Sequence, residues 1–536
     1  MGRQGPARGP KNVFALASLL GSRRTRLGLF AILWIQAFSA WGFWHYLDLH
    51  PSDECQYLHG GRELVAGRPD WVQFLNRSGP YSALYGGIDA LVGRGMLVQD
   101  VALVLVAFAS SVALYWALLA VLPAGAAAIF GMLWATGSHM IGRQHIGVYA
   151  FAATLFFWGV GLRLRGRAGW SVLLLAIAAV TRMELQSWLV GWGIAALFAR
   201  EQRRFGVMLL AVCLALSSVT SFFERDRWVW IAFGQHYGQG MGDRAASEGP
   251  PSEAWSPEFH PFQQPLETLE PDFGDAASLT EGVRRNPRAF GVHVLHNLSL
   301  LPVGLVEMLA PFPGQPFLGR CIALGILLLA AVGTLRLAML WRRGDLPPPL
   351  ALSLPLLASS PLHLVIALLL RPKAAYLTPL YLPLAIACAC GAAGLVERAR
   401  RRAPATTAAS EDRLLPWVAA MLVLILLVPR ALEATPRRAL HWRSFVAAGW
   451  RPPAEDLGSL QDPEQIGELL PVGTRVSRFA SPDADPGAAR VLVSTMDLAF
   501  SARNASHAAI VEELFGSGRF ELTSLHEGIW TFARSP

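Results

Sequence analysis

The chain has 536 residues, 53% of them hydrophobic and only 16% charged, and carries a net charge of +8. Its mean hydropathy of +0.37 excludes a single soluble domain and predicts a polytopic membrane protein. The positive charge sits in short basic segments between apolar runs, so it reports membrane topology before it suggests nucleic acid.

Residues 1–26 form a basic tail with Arg3, Arg8, Lys11, Arg23, Arg24 and Arg26. The first span, 27–47, is too long and too aromatic for a cleaved signal peptide and is expected to stay as an anchor. A helix needs about 20 apolar residues to cross a bilayer. Further spans are expected at 98–121, 124–141, 147–164, 169–182, 185–199, 205–223, 320–341, 349–370, 376–395 and 414–429, which makes about eleven transmembrane helices. Even-numbered spans should end inside. The loops after them hold Arg163, Arg165 and Arg167, then Arg200, Arg203 and Arg204, then Arg342 and Arg343, then Arg398, Arg400, Arg401 and Arg402; only Pro123-Ala124-Gly125 lacks basic charge. The positive-inside bias therefore predicts a cytoplasmic N-terminus and an extracytoplasmic C-terminus.

Two outer segments are long. In 48–97, Tyr57, Leu58, Leu64 and Val65 fall at helical spacing, and Tyr81 to Val92 is apolar. Both stretches read as interfacial helices. Residues 224–319 are polar and Pro-rich, and the Gly- and Ser-rich stretch 238–256 reads as a mobile loop. The tail, 430–536, differs from the rest. β-rich runs at Thr474–Ala480, Arg490–Thr495, Phe520–Leu525 and Ile529–Ala533, with a helical pattern at Ala505–Phe515, predict a small extracytoplasmic α/β domain. The five cysteines show no disulfide or zinc spacing.

Four places can carry chemistry. Asp53 and Glu54 follow the first span at a helix start on the outer surface. A carboxylate there can act as a general base, and either acid also suits an N-terminal turn capped by Ser52. Arg182 and Glu184 lie at the outer edge of the fifth span. Such a charge faces a wet cavity or snorkels to the surface, and a guanidinium there can grip a phosphate. Arg371, Lys373 and Tyr376 form a third outer cluster. Its basic charge runs against the positive-inside bias, which makes lipid phosphate a natural partner and headgroup anchoring the simpler one. Arg143 and His145 form a fourth. His293 and His296, spaced i, i+3 without a carboxylate motif, are a weak metal signal.

In this order the pieces resemble the GT-C superfamily of membrane glycosyltransferases, which includes the lipid A aminoarabinose transferase and the protein O-mannosyltransferases. The resemblance rests on four segments: Asp53-Glu54-Cys55-Gln56-Tyr57-Leu58; Gly67-Arg68-Pro69 with Ser78-Gly79-Pro80-Tyr81; Arg182-Met183-Glu184; and the run from Arg371 to Pro379. It covers residues 27–395. Cys55 stands where a small residue is more usual in the acid motif, and 224–319 matches no sub-family. The resemblance implies an all-α, GT-C-like catalytic domain over 27–429 and a polyprenyl-phosphate-linked sugar donor. It implies a lipid, glycan or protein acceptor, with no cofactor required and a divalent metal possible but not indicated. Asp53, with Glu54 beside it, would take the acceptor proton. Arg182, Arg371 and Lys373 would hold the donor phosphate, with Glu184, Arg143, His145 and Tyr376 in support. The expected location is a bacterial inner membrane. The competing classes are a transporter or flippase of lipid-linked glycans, which predicts midplane charges and repeated halves, and a non-enzymatic envelope assembly protein acting through its tail.

Overall fold

The computed structural model describes residues 22–41, 52–69, 71, 74, 78–92, 95–137, 147–222, 225–248, 265–311, 316–402, 490–494, 520–526 and 529–534. The protein is mostly helical. In chain order the helices are α1 (Arg23–Trp41), α2 (Ser52–Val65), α3 (Gly79–Val92), α4 (Gly95–Leu118), α5 (Ala124–Ala135), α6 (Gly147–Leu164), α7 (Ala168–Thr181), α8 (Gln186–Phe198) and α9 (Arg203–Phe222). There follow α10 (Arg225–Glu248), α11 (Pro265–Phe273), α12 (Leu279–Arg285), α13 (Pro287–Leu309), α14 (Pro316–Arg343), α15 (Pro348–Leu369), α16 (Ala374–Leu377) and α17 (Tyr381–Arg402). Among the described residues, six segments are long and apolar enough to cross a membrane: Val101–Leu118, Gly147–Leu164, Pro287–Leu309, Phe317–Arg343, Pro348–Leu369 and Ala374–Arg398. Helices α5 and α7 are apolar but shorter.

The side-chain contacts sort the helix ends into two sets. At one end, the Tyr115 hydroxyl near the close of α4 donates to the Thr25 carbonyl in α1 at 3.0 Å. Arg165, after α6, donates to the Trp116 carbonyl at 2.6 Å, and Arg163 stacks on Phe205 at the start of α9. Gln202, before α9, donates to the Ala351 carbonyl of α15 at 3.4 Å. The basic segments around 163–167, 200–204 and 342–343 share this end. At the opposite end lie the close of α7, the start of α6 and the close of α15. Between the two ends, a core of buried Trp134, Trp188, Phe156, Phe157 and Tyr381 fills the bundle.

Within the polar, Pro-rich outer segment 224–319, the described residues 225–248, 265–311 and 316–319 are largely helical. Of the stretch 238–256 expected to be a mobile loop, residues 238–248 continue α10, because Trp230, Phe233 and Tyr237 fall on one helical face and bury against Leu269 and Phe273 of α11; residues 249–256 lie outside the described residues. This aromatic core was hidden by the Gly and Ser around it. Ser278 caps the start of α12 by accepting from Glu281 N, and the Glu281 carboxylate accepts from Ala277 N just before the cap. Asn286 caps α13 ahead of Pro287. Helix α13 has the length of a span and packs through Phe290 and His293 on Phe233 and Tyr237 of α10 and on the close of α15. Asn297 donates to the carbonyls of Leu368 at 2.7 Å and Leu370 at 3.0 Å, and Pro311 pairs with Gly137.

Helices α2 and α3, expected in the interface, pack on each other. Tyr81, Tyr85 and Ile88 of α3 are buried in the protein. Near the C-terminus, β1 (Arg490–Ser494), β2 (Phe520–His526) and β3 (Ile529–Arg534) form an antiparallel sheet in the order β1-β3-β2, with a register shift between Leu522 and Ser524. These strands coincide with three of the four β-rich runs. The run 474–480, the helical pattern 505–515 and the span 414–429 lie outside the described residues.

Candidate functional site

Helix α7 ends at Thr181, and Arg182 adopts an extended backbone before a 3₁₀ turn, Met183–Leu185. The chain therefore reverses at Arg182-Met183-Glu184, and both charged side chains fall on the same side. Arg182 Nε donates to Glu184 Oε1 at 2.8 Å, and Nη2 donates to the Tyr149 hydroxyl at 2.9 Å. The guanidinium lies 4.0 Å from the Tyr149 ring centroid and 5.7 Å from that of Tyr376. It is held on three sides by groups from α6, the 3₁₀ turn and α16. That rigid clamp fixes the guanidinium plane, as bidentate recognition of an oxyanion requires.

A second set of groups approaches through Tyr376. The hydroxyls of Tyr149 and Tyr376 are hydrogen-bonded, and the rings meet edge to face at 5.4 Å. The Tyr376 hydroxyl meets His236 Nε2 at 2.8 Å, and His236 Nδ1 meets Gln239 Oε1 at 3.1 Å. An amide oxygen only accepts, so the imidazole proton lies on Nδ1 and Nε2 accepts from Tyr376. The hydrogen bonds then run one way: Arg182 to Tyr149, Tyr149 to Tyr376, Tyr376 to His236, His236 to Gln239. Burial, with Lys373 and then Arg371 nearby, pushes the His236 imidazole well below its usual range and keeps it neutral.

The basic turn 371–373 is braced from two sides. Lys373 N donates to the Arg371 carbonyl at 2.8 Å, closing a tight loop after α15. The Pro372 carbonyl sits against Gly304 of α13, where a Cβ would come within 1.9 Å of the carbonyl oxygen. His363 ties this segment to the Arg182 turn. Its Nε2 donates to the Tyr376 carbonyl at 2.8 Å, and its Nδ1 lies 3.0 Å from Ser187 Oγ, which donates to the Glu184 carbonyl at 2.6 Å.

The acid segment approaches from α2. Tyr57 is buried, packs edge to face on Tyr81 at 5.2 Å and interacts electrostatically with Arg182. Asp53 stands one helical turn before Tyr57 in α2. Asp53 and Glu54 are both in the first turn of α2, and their side chains lie outside the described residues, as do Arg143 and His145. Arg182, Glu184, Tyr376, Lys373 and Arg371 gather at one end of the bundle with the helix that bears Asp53. Tyr149, His236 and His363 were not picked out as site residues. Tyr149 and His363 are single polar residues inside apolar runs, and His236 was one of several histidines in an apparent loop. Among the described residues no group of three or more His, Cys, Asp or Glu side chains comes together as a metal site.

No family model, curated protein or solved structure matches the chain.

Proposed function

We propose that the protein is an inverting glycosyltransferase, of GT-C type, that moves a sugar from a polyprenyl-phosphate donor to a lipid, glycan or protein acceptor. The observation that carries this reading is the clamp on Arg182. Its guanidinium is preorganised by Glu184 and Tyr149 at the bundle end where Arg371, Lys373 and the Asp53 helix also lie.

Depth supports a lipid-borne donor. Helix α7 has 14 residues, a rise of about 21 Å, against a hydrocarbon thickness of about 30 Å. Arg182 thus stands below the far headgroup level, where a lipid phosphate can reach it from the side. In the reaction, Asp53 removes the acceptor hydroxyl proton as that oxygen attacks the anomeric carbon. The bond from anomeric carbon to phosphate oxygen breaks, and its electron pair leaves on the phosphate. Attack opposite the leaving group inverts the centre, by the logic of inverting glycosidases. Arg182, Arg371 and Lys373 meet the developing phosphate charge, and cations fixed before the reaction do this at no reorganisation cost. Glu184 and Tyr149 orient Arg182, and Glu54 caps α2 or assists Asp53. No cofactor is assigned.

The same reading makes 414–429 an eleventh crossing, puts the site at the outer face of a bacterial inner membrane, and makes 430–536 an extracytoplasmic α/β domain. Asp53→Asn is expected to abolish transfer from a polyprenyl-phosphate sugar, measured by profiling lipid-linked sugars in cells with the variant or the native chain. Native-level transfer by that variant removes the general-base assignment. Arg182→Ala is expected to weaken donor binding more than acceptor binding, and equal weakening would give Arg182 a structural role.

A further inference from the structure

The bundle end opposite Arg182 carries a charge cluster that the proposed reaction does not use. The turns joining α6 to α7 and α8 to α9 hold Arg163, Arg165, Arg167, Arg200, Arg203 and Arg204 against a single acid, Glu201. Two of these arginines cap backbone. Arg165 donates to the carbonyls of Gly161 at 3.0 Å and Trp116 at 2.6 Å while stacked on the Trp116 ring, and Arg203 Nε donates to the Leu197 carbonyl at 3.0 Å. They satisfy carbonyls that helix ends leave open.

Arg163 is different. It is 7% exposed, its guanidinium carbon lies 4.7 Å from the Phe205 ring centroid, and its buried Nε has no hydrogen-bond partner. Among the described residues no carboxylate acts on it. The α6 dipole offsets part of the charge, but the last-turn carbonyls are already taken. Gly161 O accepts from Arg165, Leu162 O from the backbone N–H of Arg167 at 2.9 Å, and Arg163 O from that of Gly166 at 2.9 Å. Phe205 is itself pinned by Trp192, edge to face at 5.2 Å, so the guanidinium rests on a fixed wall. A buried cation without an anion is costly, and among the described residues the surrounding side chains supply none.

We propose that Arg163 anchors an anionic lipid, whose phosphate oxygen accepts from the guanidinium between the close of α6 and the start of α9. The exposed Arg203 and Arg204, the half-buried Arg167 and the half-exposed Trp170 ring stand where headgroups lie. An acidic headgroup suits this surround, because a zwitterionic one would bring its own cation against the arginines. The site is independent of the sugar-transfer reading.

The test uses the full chain in nanodiscs of phosphatidylcholine with graded phosphatidylglycerol, read by native mass spectrometry and by thermal unfolding. Because both lipids offer a phosphate acceptor, the preference comes from the choline cation held against Arg163 and its neighbours, and phosphatidylglycerol is expected to be retained about tenfold more tightly than phosphatidylcholine. Arg163→Gln is expected to lose that preference, Arg163→Lys to keep part of it, and the exposed control Arg204→Gln to keep all of it. Equal retention of both lipids by the native chain overturns the proposal even if Arg163→Gln fails to fold. So does an Arg204→Gln loss as large as that of Arg163→Gln. Soluble glycerol phosphate protecting as well as the lipid would make the ligand a free phosphate. Glu411→Gln with Asp412→Asn would abolish Arg163-dependent stability in pure phosphatidylcholine if the chain's own acids were the partner, and that result also overturns the lipid assignment.

Discussion

Arg182 and Glu184 are two residues apart, mostly buried, and joined at 2.8 Å. A guanidinium left there without its carboxylate would be costly, so Glu184→Gln is expected to destabilise the protein by about 3 kcal/mol. Arg182→Gln combined with Glu184→Gln should cost less than the sum of the two, with a coupling of about 1–3 kcal/mol in denaturant titration. Additive losses would mean the pair is not energetically joined. His236 gives a pH signature. It faces Lys373, Arg371, His293, Gln239 and Tyr376, and burial followed by Lys373 holds it neutral in the folded state. An unfolded histidine titrates near 6.5. Above that value both states are neutral and this residue adds no pH dependence. As pH falls below about 6.5 only the unfolded chain takes up the proton, so stability declines. Unfolding followed from pH 7.5 to 5 should show that decline, and His236→Asn should make it shallower.

At the scale of elements, the position of the acid segment depends on how closely α2 and α3 cross. A Cβ at Gly61 would lie 2.3 Å from the Ser82 carbonyl oxygen and 2.5 Å from Gly86 N, so the two backbones touch. Arg62 and Asp89 pair across the same crossing at 2.8 Å. Gly61→Ala must part the helices and move Tyr57, with an expected cost of about 1–3 kcal/mol. At the neighbouring Gly60 a Cβ would lie 3.4 Å from Ser82 Oγ, and Gly60→Ala should be within about 0.5 kcal/mol of neutral. Similar losses at both positions, by thermal unfolding, would remove the crossing from the account. These elements also mark what the sequence made legible. Apolar length and arginine placement located most of the bundle helices, because burial in lipid and the positive-inside bias act on composition. The Arg182–Glu184 turn and the 371–376 segment stood out because charge at a span edge is costly. Tyr149, His236 and His363 did not, because their roles depend on partners 33, 140 and 176 residues away. Helix α10 over 238–248 was not legible because Gly and Ser interrupt the sequence there, and the packing of Phe233 on Phe273 overrides that local signal.

At the scale of the whole molecule, the two ends differ in charge and in what they do. Arg163, Arg165, Arg203, Arg342 and Arg343 lie at one end; Arg182, Arg371, Lys373 and α10–α12 lie at the other. With the five native cysteines replaced by serine, cysteines placed at the exposed Ala277 and Asp345 should be labelled by an impermeant maleimide from opposite sides. Asp345 is expected on the cytoplasmic side, because it follows Arg342 and Arg343. Labelling of both from one side would break the two-ended arrangement. The tail adds an independent constraint. Helix α1 starts at the arginine-rich end, where Tyr115 meets Thr25. Helix α17 closes at that same end, where Glu397 pairs with Arg336 of α14 at 2.8 Å, near Arg342 and Arg343. The chain has therefore returned to its starting side by residue 402, and the sheet of β1–β3 reaches the side of Arg182 only if 414–429 crosses once more. A cysteine appended after Pro536 should then be labelled together with Ala277→Cys. Labelling together with Asp345→Cys would leave 414–429 uncrossed and take the terminal sheet away from the sugar-transfer face.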